Sequence, residues 1–240
     1  MTAGTLRRAL PIGVAAAGVA LHAGPALVAR GILRRGRLAG CGRAGGVALT
    51  FDDGPDPRGT PAVLAGLADL GWTATFFLLG SQVQRHPDVA RAVLEHGHDI
   101  GVHGNEHRNH LTRSPAWVRR DLEQAVDVIS SATGRRPRWF RPPYGVLTYG
   151  SLRAARRLGL DPVLWTAWGR DWEATTADRV VETLRPGLRS GGTLLLHDSD
   201  CTATPGSWRA TAGALPLLAD ELGRRHLTVR PLGEHLAARG

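Results

Sequence analysis

The sequence predicts an α/β fold built on a parallel β-sheet. Short apolar runs typical of strands alternate with helical patterns along the chain, which indicates βαβ units. Unusual polar residues lie at the carboxyl ends of five of the strands, and the carboxyl ends of parallel strands lie on one face of such a fold. Two architectures fit this pattern: an open doubly wound sheet, or a closed barrel related to the eightfold one. The first strand is not followed by G-x-G-x-x-G, which weakens the dinucleotide-binding version of the open sheet.

Seven strands and six helices are predicted. The strands are Val47–Phe51, Thr73–Leu79, Asp99–His103, Arg138–Arg141, Pro162–Trp168, Thr193–His197 and Leu227–Pro231. The helices are Thr60–Leu70, Pro87–His96, Pro115–Thr133, Tyr149–Leu158, Thr176–Leu188 and Trp208–Arg225. Ser114 precedes Pro115 as a helix cap, and glycines follow four of the helices, where a left-handed residue is favoured.

The length and composition allow one sizeable globular domain. With 240 residues, of which 42% are hydrophobic, the chain can bury one core and is not generally disordered. The formal charge is +9, but the basic residues are all dispersed arginines and form no nucleic-acid recognition motif. We therefore expect no nucleic-acid partner, and an anionic surface such as a cell envelope is favoured. Cys41 and Cys201 lie in no C-x-x-C pair, so no thiolate zinc site is predicted; a single disulfide and buried thiols both fit.

Residues 1–40 differ from the rest and are interpreted as a signal or membrane-anchor segment with an arginine-rich linker. Two arginines precede a weakly apolar run from Ala9 to Val28, whose length of about 20 residues suits a membrane span or a signal peptide. Further arginines follow the run, so the charges leave its orientation undecided. The alternative is a loosely packed N-terminal helix. We expect this segment to give an envelope location, either membrane-anchored or secreted, and residues 41–240 to carry the function.

Two adjacent carboxylates, Asp52 and Asp53, follow the first predicted strand and precede a Gly-Pro turn. Like charges this close raise one another's pKa, and burial raises both pKa values further. A fold that keeps such a pair therefore needs a cation or a proton to offset the repulsion. The alternative is a helix cap followed by a turn aspartate, because Asp-Gly-Pro forms turns unaided.

Two histidines could hold that cation. His103 and His107 lie four residues apart after the third strand, and on a helical turn this spacing places both on one side. With a carboxylate from elsewhere they would form an open three-ligand metal site. The motif is not H-E-x-x-H, because its glutamate stands at the fourth position. The alternative is two surface histidines in a polar loop.

Three other strand ends carry residues suited to acid–base chemistry. Arg141 leads a rigid R-P-P-Y-G turn and can hold a carboxylate bidentately. Asp171 follows the fifth strand and can orient a histidine. His197 ends the sixth strand, where it is suited to act as an acid or base in a partly apolar site. The alternatives are a structural turn, a helix cap and a core histidine, respectively.

Together these motifs resemble the five ordered motifs of the polysaccharide deacetylases, also called carbohydrate esterase family four or the NodB-homology domain. The matching stretches are Thr50–Pro55, His103–His107, Arg141–Gly145, Asp171-Trp172 and Leu195–His197. They occur in the family's order from about Gly46 to Leu232, nearly the whole chain after the N-terminal segment. The resemblance implies a distorted (β/α) barrel of about seven parallel strands with outer helices, and residues 41–240 as its catalytic domain.

The resemblance also implies a role for each site residue. The metal ligands would be Asp53, His103 and His107. Asp52 would be the general base, held by Arg141, and His197 the general acid, tuned by Asp171. The Tyr144 backbone N–H would help to stabilise the oxyanion, while Trp172 and Leu195 would line the pocket for the acetyl methyl group. The implied metal is divalent, with Zn²⁺ in the first place, although Co²⁺, Ni²⁺ or Fe²⁺ also suit such ligands.

The sequence departs from the family pattern in two places. The family usually has Ser or Thr after the first metal histidine, where a hydroxyl can brace the loop. Here that residue is Gly104, so support for the loop is weaker or is differently supplied. The motif around Asp171 is also shorter than usual.

The leading interpretation is a metal-dependent N-deacetylase of an envelope or extracellular polysaccharide, peptidoglycan or another N-acetylglucosamine polymer. One alternative is an amide hydrolase of the same fold that acts on a small non-sugar amide. The other is a non-catalytic envelope-binding module. An open groove with exposed aromatic residues would favour the polymer, whereas a closed pocket would favour the small amide. A serine hydrolase is disfavoured, because the sequence has no G-x-S-x-G elbow.

Overall fold

The computed structural model describes residues 22–25 and 36–237. From residue 36 onward it has eight strands: β1 Gly46–Asp52, β2 Thr75–Leu78, β3 Asp99–Val102, β4 Trp139–Phe140, β5 Asp161–Pro162, β6 Ala167–Trp168, β7 Thr193–His197 and β8 Thr228–Arg230. It has eight α-helices over the same range: α1 Gly59–Asp69, α2 Gly80–Arg85, α3 Pro87–Glu95, α4 Pro115–Thr133, α5 Tyr149–Leu158, α6 Ala177–Leu184, α7 Trp208–Arg224 and α8 Leu232–His235.

The strands form one parallel sheet. Its order is β5-β4-β3-β2-β1-β7-β6. β8 pairs with the first residues of β1, and β2 pairs with the last residues of β1. Every described strand pair is parallel, as the alternation of strands and helices predicts. The carboxyl ends of β1, β3, β4 and β7 consequently all lie at the same end of the barrel.

The sheet curls into a distorted barrel whose two edges are joined by the chain itself. β5 and β6 are the two ends of the strand order, and only residues 163–166 separate them in sequence. The predicted strand Pro162–Trp168 is therefore wrong as a single element, because its start pairs with β4 and its end pairs with β7. With that correction, the predicted barrel is confirmed.

β1 is buried along its whole length and has two different faces. Val47, Leu49 and Phe51 belong to the large apolar core between the sheet and the helices. Ala48 belongs to a smaller cluster, and the polar Thr50 and Asp52 share its side of the strand, because side chains alternate along a strand. The inner side thus changes from apolar to polar toward the carboxyl end.

The helices form an outer layer around the sheet. α6 packs on α7, α7 packs on α1, and α4 packs on both α3 and α5. Their buried apolar side chains complete the large core against the outward face of the strands. The burial of this face fixes the strand register, since a slip of one residue would turn every apolar side chain inward.

Local sequence signals fix the ends of several helices. Ser114 accepts a hydrogen bond from the Trp117 N–H at 3.2 Å, which starts α4, and Gly134 ends that helix at φ 68°. Thr148 caps α5 by accepting the Ser151 N–H at 3.1 Å. α4 and α5 therefore have the predicted bounds, whereas the short α2 and α8 were not predicted.

Most of the predicted N-terminal segment lies outside the described residues, although residues 22–25 are helical. Among the residues that the structure describes, no helix is long and apolar enough to cross a membrane. No disulfide joins Cys41 to Cys201.

Candidate active site

Asp53 directly follows β1 with its backbone in the left-handed region, at φ 77°. The residue is buried, with 2% of its surface exposed. The Thr202 hydroxyl donates to one carboxylate oxygen, Oδ2, at 2.5 Å. The other oxygen, Oδ1, is buried without a hydrogen-bond partner in the described part of the chain. A buried carboxylate oxygen is costly to leave unpaired, so the site is suited to a cation at Oδ1.

The two histidines supply the nitrogen atoms around that oxygen. Asp53 Oδ1 lies 3.4 Å from His103 Nε2 and 3.5 Å from His107 Nε2. The histidines lie on a loop rather than on the helical turn considered from their spacing, and Gly104 at φ 101° turns the chain between them. Their rings nonetheless lie close together, with centroids 5.3 Å apart and an angle of 35° between the ring planes. The three donor atoms all lie within 4.8 Å of one another, which fits a divalent metal.

The protonation of His103 suits ligation. Its Nδ1 lies 2.9 Å from the Arg141 carbonyl oxygen, so the Nδ1–H donates there and the Nε2 lone pair points to Asp53. Burial lowers the pKa of His103 to about 3, although the nearby Asp53 carboxylate works in the opposite direction. A neutral imidazole with a free Nε2 is the form that binds a metal ion.

Asp52 is held by a buried arginine instead. Arg141 is fully buried, and its Nη1 donates to Asp52 Oδ1 at 2.7 Å and to Thr50 Oγ1 at 2.8 Å. Burial raises the pKa of Asp52, and the Arg141 guanidinium is the strongest of the neighbours that oppose this rise. The guanidinium also lies 4.1 Å from the Phe77 ring centroid, which fixes it inside the barrel.

His197 lies next to Asp52 because of the strand register. β7 pairs with β1 so that His197 is the direct partner of Asp52, and the two side chains therefore leave the same face of the sheet. Asp171 receives two hydrogen bonds from His197, from the backbone N–H at 2.7 Å and from Nδ1 at 2.9 Å. The Thr211 hydroxyl donates to the same carboxylate at 2.6 Å. The imidazole orientation is thus fixed, with Nε2 left to face the site.

The carboxylates around His197 favour its protonated form. Burial opposes the charge, but Asp171 and then Asp53 and Asp52 outweigh burial and raise the pKa of His197 to about 9. The imidazole is therefore charged at neutral pH and has a proton to give.

These groups face a cavity of about 230 Å³. Its lining includes every predicted ligand and acid–base residue except Arg141 and Asp171, which lie behind Asp52 and His197. Its wall is aromatic: the ring centroids of Trp165 and Trp168 are 6.0 Å apart, and those of Trp168 and Trp172 are 5.2 Å apart. Tyr144, in contact with His107, and Leu195 also line the cavity.

The loop that carries the histidines is braced by a residue that was not predicted. Asp121, on α4, accepts the Asn105 N–H and the Glu106 N–H, each at 3.0 Å. Burial raises the pKa of Asp121 to about 6, against the effect of those two donors. A Cβ atom on Gly104 would lie 3.1 Å from an Asp121 oxygen, so the glycine makes room for this contact.

Sequence signals existed for some of the unpredicted residues. Asp121 interrupts the apolar face of α4 beside Leu122, and a carboxylate on such a face needs partners. Trp165 and Trp168 belong to the predicted strand Pro162–Trp168, and aromatic residues in a strand do not by themselves indicate a cavity wall. Thr202 has no local signal, because its contact with Asp53 joins two loops distant in sequence.

Comparison with known proteins identifies the family. The family model described as polysaccharide deacetylase matches residues 39–163. A chitooligosaccharide deacetylase from Bradyrhizobium is 36% identical over 194 residues, which cover 78% of this chain and 88% of that protein. The chain belongs to the polysaccharide deacetylase family. The family and the enzyme class predicted from the five motifs are thereby confirmed.

Other members of the polysaccharide deacetylase family show the same similarity. A peptidoglycan-N-acetylglucosamine deacetylase from Bacillus cereus is 35% identical over 193 residues, covering 78% of this chain and 87% of that protein. A crystal structure of a peptidoglycan N-acetylglucosamine deacetylase superposes with a TM-score of 0.75 at 27% identity, covering 80% of this chain and 88% of that one. The barrel of this chain is therefore the fold of the family.

Proposed function

We propose that this chain hydrolyses N-acetyl groups on the amino sugars of an envelope or extracellular polysaccharide. One observation carries the proposal: three kinds of group meet at one cavity. They are an Asp-His-His donor set, a carboxylate held by arginine, and a protonated histidine held by aspartate. Amide hydrolysis needs an electrophilic centre, a base and an acid in reach of the same carbonyl.

Asp53, His103 and His107 would hold a divalent metal, with Zn²⁺ as the first choice and Co²⁺, Ni²⁺ or Fe²⁺ as alternatives. When bound, such an ion polarises oxygen ligands and lowers the pKa of water. The unpartnered Asp53 Oδ1 and the two Nε2 atoms around it support this assignment.

Asp52 would act as the base and take a proton from the water that attacks the acetyl carbonyl carbon. Arg141 keeps Asp52 oriented, because its hydrogen bond occupies Oδ1 and leaves Oδ2 for the proton. The Tyr144 N–H would donate to the oxyanion that forms. The carbon–nitrogen bond then breaks as His197 gives its proton to the leaving amine. Acetate and a free amino sugar are the products.

The cavity rim supports a sugar polymer over a small amide. Tyr144 is 61% exposed and Trp168 is 44% exposed at the mouth of the cavity. Exposed aromatic faces at a rim are suited to the apolar faces of sugar rings. Trp172 and Leu195 lie deeper and would contact the acetyl methyl group.

We also propose that residues 41–240 are the catalytic domain and that residues 1–40 carry it to the envelope. The names of the relatives support this location, since one acts on peptidoglycan and another on chitooligosaccharides. Fractionation of the full chain and of a variant without residues 1–40 tests the proposal. If the full chain and the shortened variant are found in the same fraction, the proposed role of residues 1–40 is contradicted.

The function is tested by acetate release from a panel of N-acetylated oligosaccharides. We expect release from at least one glycan, loss of release after a chelator removes the metal, and recovery when Zn²⁺ or Co²⁺ is returned. Hydrolysis of small acetamides at higher kcat/KM than any glycan would favour the small-amide hydrolase. Bound metal without release from any substrate would favour the binding module.

A further inference from the structure

A second cavity adjoins the active site and has no tryptophan in its lining. It measures about 380 Å³ and shares His107 and Thr202 with the first cavity. The candidate metal donors therefore lie between two cavities of different character. The first is walled by Trp165, Trp168 and Trp172, whereas the lining of the second is mainly charged and polar, with Leu79 as its aliphatic residue.

Two arginines give the second cavity its charge. Arg85, at the end of α2, has no carboxylate partner in the described part of the chain, and its Nη1 contacts only the neutral Gln82 at 3.4 Å. Arg108 pairs with Glu106 through Nε at 3.3 Å. That contact uses one edge of the guanidinium, so its terminal amino groups remain able to bind a carboxylate.

The charge balance of the lining favours an anion. Arg85 and Arg108 contribute two positive charges, and Glu106 contributes one negative charge. The tryptophan-lined cavity by contrast has aromatic faces beside the reacting groups, which suit a neutral N-acetylated sugar. A polymer with its acetyl group at the metal donors and one sugar on the tryptophans would extend its neighbouring unit past His107 into the second cavity.

We propose that the second cavity binds a carboxylate carried by the sugar unit next to the one that is deacetylated. The inference rests on the proposed function and narrows its substrate to an acidic glycan, such as one in which an N-acetylated hexosamine alternates with a lactyl-bearing sugar. The relatives are named for peptidoglycan and for chitooligosaccharides at similar identity, so the similarity does not favour one of these two substrates. Arg85 and Arg108 favour the acidic one.

The test compares three substrates of equal length: a neutral chitooligosaccharide, a peptidoglycan glycan fragment with free lactyl carboxylates, and the same fragment as its methyl ester. We expect the KM of the free acid to be lower than that of the ester by about three- to tenfold, with similar kcat, since a charged contact outside the reacting bond acts on binding. High salt should narrow the difference.

The double variant Arg85→Gln/Arg108→Gln should remove the difference between acid and ester while the rate on the chitooligosaccharide stays within about twofold. The matched control is Arg153→Gln/Arg157→Gln, which removes two exposed arginines of α5 outside both cavities. It should retain the preference.

Equal KM for acid and ester in the wild-type enzyme would overturn the inference and leave the proposed function intact. A double variant that slows all three substrates alike would also overturn it, because the arginines would then support the fold rather than the substrate. Failure to release acetate from any glycan by the metal-loaded enzyme would instead contradict the proposed function itself.

Discussion

At the scale of single residues, the site separates two adjacent carboxylates. Asp53 directs an unpartnered oxygen at two imidazole nitrogens, and Asp52 is tied to a buried arginine 2.7 Å away. Side chains of neighbouring strand residues alternate between faces, but Asp53 leaves the strand with a left-handed backbone, and both carboxylates line the same cavity. Two like charges at one strand end are tolerable because each has a different partner.

The acid group gives a prediction about pH. Asp171 raises the pKa of His197, so the substitution Asp171→Asn should lower that pKa. In the proposed mechanism a protonated His197 releases the amine, so activity should fall as pH rises through the pKa of His197. We expect the descending limb of the kcat/KM profile to move to lower pH by about one unit or more in the variant.

The control for this pH shift is Thr211→Val, which removes only the hydroxyl that donates to Asp171 and keeps its charge. This variant should shift the limb much less. An unchanged descending limb in Asp171→Asn would show that His197 is not the acid.

The aromatic rim gives a prediction about binding. Trp168→Ala should raise the KM for an N-acetylated oligosaccharide about two- to tenfold with little change in kcat, because an exposed ring face contributes binding that is equal in ground and transition states. Tyr149→Ala, an exposed aromatic residue at the start of α5, is the control and should leave KM unchanged. An effect confined to kcat would contradict the binding role.

At the scale of elements, the histidine loop depends on α4. Asp121 accepts hydrogen bonds from two backbone N–H groups of the loop. A Ser or Thr in place of Gly104 would put its Cβ atom 3.1 Å from an Asp121 oxygen. We infer that this carboxylate from a neighbouring helix supports the loop where the family usually has Ser or Thr.

Asp121→Ala should therefore weaken metal binding about 10- to 100-fold and destabilise the fold by about 1–3 kcal/mol, because it leaves the buried Asn105 N–H and the partly buried Glu106 N–H without an acceptor. Competition with a chelator measures the first effect, and thermal unfolding measures the second. Glu123→Gln, on the exposed side of the same helix, should change neither. Metal affinity equal to wild type in Asp121→Ala would contradict the bracing role.

Element bounds were predictable where the chain carries its own stop and start signals. α4 begins after Ser114 and ends at Gly134, and both signals are local. β7 was predicted to the residue, because a buried strand is a continuous apolar run. α2 has only six residues and no helical period to detect. The split of β5 from β6 depends on which distant strand each one pairs with, and no local pattern encodes that choice.

At the scale of the whole molecule, the barrel brings five strand ends to one cavity. The resemblance to the family predicted the barrel, which is confirmed, and a set of site residues whose catalytic roles stay predictions. Other residues of the site are recognised only in the folded chain. Thr202 donates to Asp53, Asp121 accepts from the histidine loop, and Trp165 lines the cavity. Each of these contacts joins segments far apart in sequence, so spacing could not predict them.

The most direct test of the account measures metal content and acetate release side by side in Asp52→Asn and Asp53→Ala. The account predicts that Asp52→Asn keeps the metal stoichiometry of the wild type and loses about 10²- to 10⁴-fold in kcat, because it removes a base and no ligand. Asp53→Ala should lose the metal and the activity together. Wild-type turnover in Asp52→Asn, or full metal occupancy in Asp53→Ala, would contradict the division of roles between the two carboxylates.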